Sequence, residues 1–165
     1  MRNKIEEKNK INNKSRIVAG YCWDWLNEGK NKSEIHDIKI SEYNFEMSWN
    51  LGNTQSWALD PNSVNEAGCI YTCQGAEFDY VGVIIGNDMQ YLNEKIITDY
   101  TKRAKTDTSL RGLTKNYKNN QSKIIADQII KSTYQTLMTR GKKGCYVYCL
   151  DKNLSDYLKQ KSINN

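Results

Sequence analysis

The hydrophobic positions of the chain fall into short continuous runs and one long periodic stretch. Residues 17–22 and 81–86 are apolar throughout, which predicts buried strands. A further strand is expected over residues 64–73, an edge strand over residues 38–43, and a last buried strand over residues 144–150. Strands that are apolar on both faces are typical of parallel sheets covered by helices on both sides.

The periodic stretch begins after residue 122. Large apolar side chains recur there at steps of three and four, which predicts a helix with a wide apolar stripe, ended by Gly141. These side chains are Ile124, Ile125, Ile129, Leu137 and Met138. A short closing helix is expected over residues 153–161. Buried strands separated by a long helix indicate the α/β class, with a parallel sheet between two helical layers.

The chain has 165 residues, a length that suits one domain. We expect residues 15–161 to form it, with a polar insertion at about residues 90–121. Residues 1–14 are expected to be a frayed helix or a tail, and residues 162–165 a short tail. The apolar runs are far shorter than the roughly 20 residues of a transmembrane helix, and no signal peptide is visible. The sequence therefore predicts a soluble, cytoplasmic protein with no membrane partner.

Five cysteines, an odd number in a chain with no export signal, argue against disulfides. Cys69 and Cys73 lie four residues apart, as do Cys145 and Cys149, and each pair falls in an apolar run. Zinc-binding cysteines usually lie closer together, in tight turns. We therefore interpret these cysteines as core residues, with a metal site as the alternative.

Several common catalytic motifs are absent from the sequence. Gly29-Lys30 and Gly141-Lys142 do not complete Gly-x-x-x-x-Gly-Lys-Ser/Thr, the loop that wraps a phosphate with backbone N–H groups. His36 is the only histidine, which nearly excludes Ser-His-Asp triads and His-rich metal sites. We interpret His36 as a surface residue, because it lies in a polar segment.

Two stretches carry the candidate chemistry. In residues 69–85, a polar turn that holds Thr72, Gln74, Gly75 and Glu77 joins two apolar runs, and ligands bind open α/β sheets at the carboxyl ends of strands. In residues 136–148, Arg140 ends a helix just before a strand, where its guanidinium could contact a phosphate. The alternative is that Arg140 only complements the dipole at the end of the helix.

Together the two stretches resemble a pair of helicase motifs. Tyr71-Thr-Cys-Gln-Gly-Ala-Glu-Phe-Asp-Tyr-Val81 is similar to motif V of superfamily-one helicases, and Leu137-Met-Thr-Arg-Gly-Lys-Lys-Gly-Cys-Tyr-Val147 to motif VI. With Val18-Ala-Gly-Tyr-Cys-Trp-Asp-Trp25 and Trp49-Asn-Leu51, most of residues 15–160 resembles the carboxyl-terminal half of the Schlafen group 3-like DNA/RNA helicase domain family. Its members are uncharacterised bacterial P-loop ATPases. The resemblance implies a RecA-like three-layer sandwich.

In such families, ATP and Mg²⁺ lie between two RecA-like domains. The resemblance implies that this chain is the second domain, in which Arg140 is an arginine finger that stabilises charge during hydrolysis. Thr72 would lie near a nucleic-acid phosphate, and Gly141 replaces the commoner Ala. The residues implied on the nucleotide side are Gln74, Gly75, Glu77 and Thr139.

The first domain would supply the Walker A and Walker B residues, which this sequence lacks. We therefore expect the chain to be a fragment that needs an amino-terminal Walker A/B domain as its partner. By itself it is expected to bind no nucleotide tightly and to hydrolyse no ATP.

Residues 101–123, between the two motifs, concentrate positive charge. Seven cations against the single acid Asp107 leave a charge of +6, whereas the whole chain carries +5. Such cations can track the phosphate backbone of single-stranded DNA or RNA, with Tyr100 and Tyr117 as stacking surfaces; the alternative is a solvated loop. The cations are Lys102, Arg103, Lys105, Arg111, Lys115, Lys118 and Lys123. Four tryptophans are interpreted as core or domain-interface residues: Trp23, Trp25, Trp49 and Trp57.

Three functions stay open on the sequence alone. The resemblance favours the ATP-coupling, nucleic-acid-facing half of a helicase or translocase. The alternatives are a non-catalytic module that binds nucleic acid or a protein, and a nucleotide-regulated switch in a defence or modification system. A Walker A loop encoded upstream of Met1 would separate the first function from the second.

Overall fold

The structure is a computed structural model that describes residues 1–26, 35–50, 56–113 and 119–163. Three α-helices lie in these ranges: α1 (Arg2–Asn12), α2 (Asn119–Met138) and α3 (Lys152–Ile163). The strands of the first half are β1 (Ser15–Ala19), β2 (Ile38–Ile40), β3 (Phe45–Trp49) and β4 (Glu66–Gly68). The strands of the second half are β5 (Phe78–Ile85), β6 (Met89–Leu92), β7 (Lys95–Thr98) and β8 (Gly141–Cys149).

Six of the strands form one sheet in the order β2-β3-β4-β1-β5-β8. Strand β1 pairs in parallel with β4 and β5, and the pairs β3–β4 and β5–β8 are also parallel. Strand β2 is antiparallel to β3 and lies at one edge, as predicted, but it ends at Ile40, and the rest of the predicted strand (Ser41–Tyr43) is a 3₁₀ helix. The predicted α/β class with a mainly parallel sheet is confirmed.

Helices cover both faces of the sheet. Val81, Val83 and Ile85 of β5 pack on one face with side chains of α2 and α3, whereas Ile84 packs on the other face with Ile5 of α1. Because β5 is covered on both sides, its continuous apolar run is buried without alternation. This three-layer arrangement agrees with the predicted RecA-like sandwich.

The amino-terminal segment is a docked helix, where the sequence predicts a frayed helix or a tail. Ile5 of α1 is fully buried, and the backbone of Asn13 turns left-handed (φ 59°) to end the helix. The helix lies close to β5 because Gly82 has no side chain there: an added Cβ would lie 3.0 Å from Ile5. One buried side chain is too weak a periodic signal to predict such docking from the sequence.

The middle of the chain differs from the expected pattern. Residues 64–73 are expected to form one strand but do not. The first two belong to a 3₁₀ helix (Pro61–Asn65), the next three form β4, and the remainder lie in the turn that follows β4. Strand β3 lies in a segment for which the sequence pattern predicts no strand. The expected insertion at residues 90–121 contains most of the β6–β7 hairpin and the first residues of α2. The hairpin turn places Asn93 and Glu94 at positive φ, a turn that lacks the usual glycine signal.

The cysteines are placed mainly as core residues. Cys69, Cys73 and Cys149 are buried and Cys22 is half-buried. Cys145 is exposed, against the expectation, because β8 is an edge strand. The described residues contain no group of three or more His, Cys, Asp or Glu side chains that could hold a metal. Within the same residues, no helix has both the length and the apolar character needed to cross a bilayer.

Candidate functional site

The two motif-like stretches meet at the amino ends of β5 and β8. The N–H of Phe78, the first residue of β5, donates to the carbonyl of Arg140, just before β8, at 2.8 Å. Residues 69–77 therefore start at the carboxyl end of β4 and return to the opposite edge of the sheet, since β4 and β5 run in the same direction. Glu77 consequently lies at the amino edge, not at the carboxyl end of a strand as expected.

Arg140 is held where α2 ends. Its N–H donates to the carbonyl of Leu137 at 3.3 Å, and the Thr139 hydroxyl donates to carbonyls of the last helical turn at 3.0 Å. The guanidinium is half-buried, and its Nη1 donates to the Ala76 carbonyl at 3.4 Å. Its Nε is buried and, within the described part of the chain, has no hydrogen-bond partner. The side chain thus keeps hydrogen-bonding capacity for an anion.

Charged pairs line the same edge. Lys142 Nζ lies 2.5 Å from Glu77 Oε2, and the hydrogen bond from Lys142 lowers the pKa of Glu77. Lys143 Nζ lies 2.8 Å from Asp79 Oδ2 and lowers the pKa of Asp79, with a smaller contribution from Asn12. Both acids are therefore ionised at neutral pH. Glu77 is exposed, so a ligand could reach its carboxylate.

Gln74 and Gly75 lie in the exposed turn before Glu77. Gly75 has a φ of +74°, a left-handed conformation that favours glycine, and an added Cβ would meet no atom within 4 Å. Glycine is thus favoured here by the left-handed backbone conformation, and not by a lack of room for a side chain. The N–H of Gln74 donates to the carbonyl of Tyr71 at 3.3 Å, and its side chain is exposed.

Thr72 lies at the opposite end of this loop, at the carboxyl edge of the sheet. Its hydroxyl accepts from the N–H of Cys69 at 2.8 Å and donates to the Cys69 carbonyl at 3.0 Å. The hydroxyl therefore closes the turn that follows β4, and the side chain is half-exposed. The structure does not bring Thr72 together with Arg140, but residues 69–77 connect the two edges directly.

The basic residues predicted to contact nucleic acid differ in their exposure to solvent. Arg103 does not meet its expectation: its side chain is 2% exposed and pairs with Asp88 and Asp107, so it cannot face a phosphate. Tyr100 packs against the core. The exposed cations of the segment are Lys102, Lys105, Arg111 and Lys123. The other predicted contacts, Lys115, Lys118 and Tyr117, lie outside the described residues.

Residues 104–106 of the basic segment are anchored at the carboxyl end of β1. Ala104 donates its N–H to the Tyr21 carbonyl at 2.9 Å, and Thr106 donates its N–H to the Asp24 carboxylate at 3.1 Å. Exposed Lys105 lies between these two anchors. The segment is thus attached beside Thr72, at the edge opposite Arg140.

An aromatic row that the sequence pattern does not predict lies at this edge. Tyr71 contacts Tyr21 edge-on, with ring centroids 6.5 Å apart. Tyr21 stacks on Trp49, which stacks on Trp25, at 5.5 and 6.1 Å. Trp49 is buried and Trp25 is half-buried, whereas Tyr71 is exposed. The position of Tyr71 directly before Thr72 is the one sequence signal that could have indicated it.

Comparison with known proteins agrees with the motif pair. A protein-family model described as "Schlafen group 3, DNA/RNA helicase domain" matches residues 1–151. The chain is also similar to the uncharacterized protein YPL245W of Saccharomyces cerevisiae (strain ATCC 204508 / S288c), with 26% identity over 162 residues. That alignment covers 96% of this chain and 34% of the yeast protein, so the chain spans about a third of the length of this relative. No solved structure matches the chain with significance.

Proposed function

The chain belongs to the Schlafen group 3 DNA/RNA helicase domain family, and on this premise we propose that it acts as the second RecA-like domain of an ATP-dependent helicase or translocase. In this role Arg140 completes an ATP site formed with another domain. Thr72 and the exposed cations after residue 101 contact a single strand of DNA or RNA. The chain by itself is catalytically inactive.

The position of Arg140 is the observation that carries this proposal. Its guanidinium is half-buried at the junction of α2 and β8, and its buried Nε has no partner in the described part of the chain. A cation used only to complement the carbonyls at a helix end needs no such buried, unpaired N–H group. A phosphate oxygen from a facing domain would satisfy it, and would place positive charge where hydrolysis develops negative charge.

The loop of residues 69–77 supports coupling between ATP and nucleic acid. Thr72 stands at its start, at the carboxyl edge of the sheet, and Ala76 at its end accepts a hydrogen bond from Arg140. A movement of Arg140 on nucleotide binding would therefore act on the same loop that carries Thr72. The described residues thus offer a short covalent path between the two proposed sites.

The proposal requires a partner domain. The sequence holds no Walker A loop, so the domain that binds ATP and its Mg²⁺ would supply the phosphate-wrapping N–H groups and the metal ligands. Glu77 and Thr139 lie along the edge that would face the nucleotide, and Gln74 and Gly75 lie in the loop that leads to this edge. Glu77 would reach the ribose only by exchanging or sharing its ion pair with Lys142.

Steady-state kinetics of the complete ATPase, with the Walker A/B domain present, test the proposal. Arg140→Ala should lower kcat by about 10³ or more and change ATP affinity only several-fold, because the finger acts mainly on the transition state. Arg140→Lys should recover little activity, since an ammonium lacks the planar fork. Arg2→Ala is the matched control and should leave kcat unchanged, because Arg2 is a half-exposed arginine paired with Glu6 in α1, far from this edge.

Thermal melts of the same variants separate a catalytic role from a structural one. If Arg140→Ala lost activity only because it unfolded at lower temperature, Arg140 would be a helix cap. If it turned over ATP like the wild type, the arginine-finger proposal would be rejected in favour of a non-catalytic binding module.

A further inference from the structure

Tyr71 presents an exposed aromatic ring at the edge where the proposed nucleic-acid residues lie. The residue is 49% exposed, although it is backed by the aromatic row of Tyr21, Trp49 and Trp25. An exposed aromatic ring beside solvated cations is the arrangement that single-strand-binding proteins use for base stacking. One part of the Tyr71 ring is therefore accessible to a ligand, and another part packs against the protein.

The orientation of this ring is restrained before any ligand binds. The Tyr71 hydroxyl lies 3.3 Å from the Thr108 hydroxyl, and its ring meets Tyr21 edge-on at an interplanar angle of 72°. Burial raises the pKa of Tyr21 to about 12, so this supporting ring is neutral at physiological pH. A side chain that is already ordered loses little entropy when it binds.

The segment that contacts the Tyr71 hydroxyl through Thr108 also carries exposed cations, which suit a phosphate backbone. Lys102 and Lys105 are exposed and form no ion pair within the described part of the chain. Among the acids of the described residues near this edge, Asp107 is paired with Arg103, the Asp24 carboxylate accepts hydrogen bonds from Thr106, and the buried Asp37 accepts from the N–H groups of Leu26 and Trp49. A phosphate could therefore approach this edge from the side of the exposed lysines.

We propose that Tyr71 is a base-stacking residue that selects single strands over duplexes. The inference rests on the proposed function, since it assumes that Thr72, the next residue, lies near the phosphate of the same nucleotide. An unpaired base exposes its flat face to the ring, whereas a base within a duplex is covered on both faces. DNA and RNA share this chemistry, and the ring does not distinguish between them.

Binding of the full chain to an oligonucleotide that carries 2-aminopurine tests this role, because the fluorescence of this base falls when it stacks. Tyr71→Leu should weaken single-strand binding about tenfold, the effect of losing one stacked base. It should also abolish the fluorescence change and leave the dependence of log K on log salt unaltered, since a ring releases no counterions. Tyr71→Phe should bind like the wild type, as should the control Tyr43→Leu, whose ring is exposed elsewhere.

The outcomes separate this inference from the proposed function. Wild-type affinity in Tyr71→Leu would overturn stacking and leave nucleic-acid binding intact. Failure of the wild-type chain to bind any single strand would overturn both. Equal losses in Tyr71→Phe and Tyr71→Leu would show that the contact of the hydroxyl with Thr108 matters and not the ring, and would also overturn the inference.

Discussion

Arg103 and Asp88 form an ion pair inside the protein, with 3.0 Å between Nη1 and Oδ2 and side chains only 2% and 0% exposed. Asp88 also accepts a hydrogen bond from the Tyr134 hydroxyl of α2 at 2.5 Å. Burial disfavours the charge of Arg103, but Asp107 and Asp88 outweigh this effect and raise its pKa. The pair joins the segment after β7 to the end of β5 and to α2.

Removing one member of this pair should strongly destabilise the fold. Arg103→Ala leaves the carboxylates of Asp88 and Asp107 buried without their cation, and breaking a buried pair typically costs about 3–5 kcal/mol. Urea denaturation measures this loss. The neighbouring exposed Lys102→Ala is the matched control and should change the free energy of unfolding by less than about 0.5 kcal/mol. Equally small effects of both substitutions would mean that the pair contributes little.

The exposed cations after residue 101 should give single-strand binding a marked salt dependence. If four of them contact phosphates, log K should fall with log salt at a slope of roughly −3. Fluorescence anisotropy with a labelled oligonucleotide should show weaker binding and a flatter slope when four cations are changed to Ala. The four cations are Lys102, Lys105, Arg111 and Lys123.

A control variant with the same net charge separates local contact from general attraction. It replaces four exposed lysines elsewhere by Ala and should retain the wild-type slope if the segment is the contact. These lysines are Lys10, Lys95, Lys152 and Lys159. Equal losses in both variants would indicate attraction by overall charge, and the segment would then be a solvated loop.

The chain alone should show no ATPase activity and at most weak nucleotide binding. Arg140 has no Walker A loop in this sequence with which to complete a site. Phosphate release with and without single-stranded DNA is the measurement. Turnover that survived repurification and disappeared in Arg140→Ala would show that this chain contains a complete site.

Stability should fall at alkaline pH. Burial raises the pKa of the Cys73 thiol from 9.0 to about 12. The folded state therefore holds this proton more tightly than the unfolded state, so the contribution is fully present below pH 9 and is lost as the pH rises towards 12. The urea midpoint of the wild type should decrease over this range. Cys73→Ala, compared with its own midpoint at pH 8, should decrease less; an equal decrease would assign the effect to other groups, such as Tyr21.

The sequence by itself determined the fold class and the main parallel strands of the sheet. The runs at residues 17–22 and 81–86 lie in the middle of the sheet, covered by helices on both faces, so their apolar character can be read directly from the local sequence. The run at residues 144–150 also forms a strand, but it lies at the edge of the sheet and only Cys149 in it is buried, so the predicted burial is wrong there. The periodicity after residue 122 can likewise be read from the sequence, because it reflects the apolar stripe of the single helix α2. The pairing of two motif-like stretches, in order, was enough to indicate the family. The roles of the individual site residues stay predictions.

Only the tertiary structure decided which charged and polar side chains face solvent and which edge each occupies. Arg103 looks like any other cation of a basic segment, yet it is buried because Asp88, fifteen residues earlier, and Asp107 meet it inside the fold. Cys145 is exposed on β8, which is an edge strand of the sheet that the described residues form, and α1 docks because Gly82 makes room for Ile5. Glu77 and Arg140 share an edge opposite Thr72 because the chain crosses back along the sheet. Each of these outcomes depends on residues distant in sequence, and a local pattern contains no information about them.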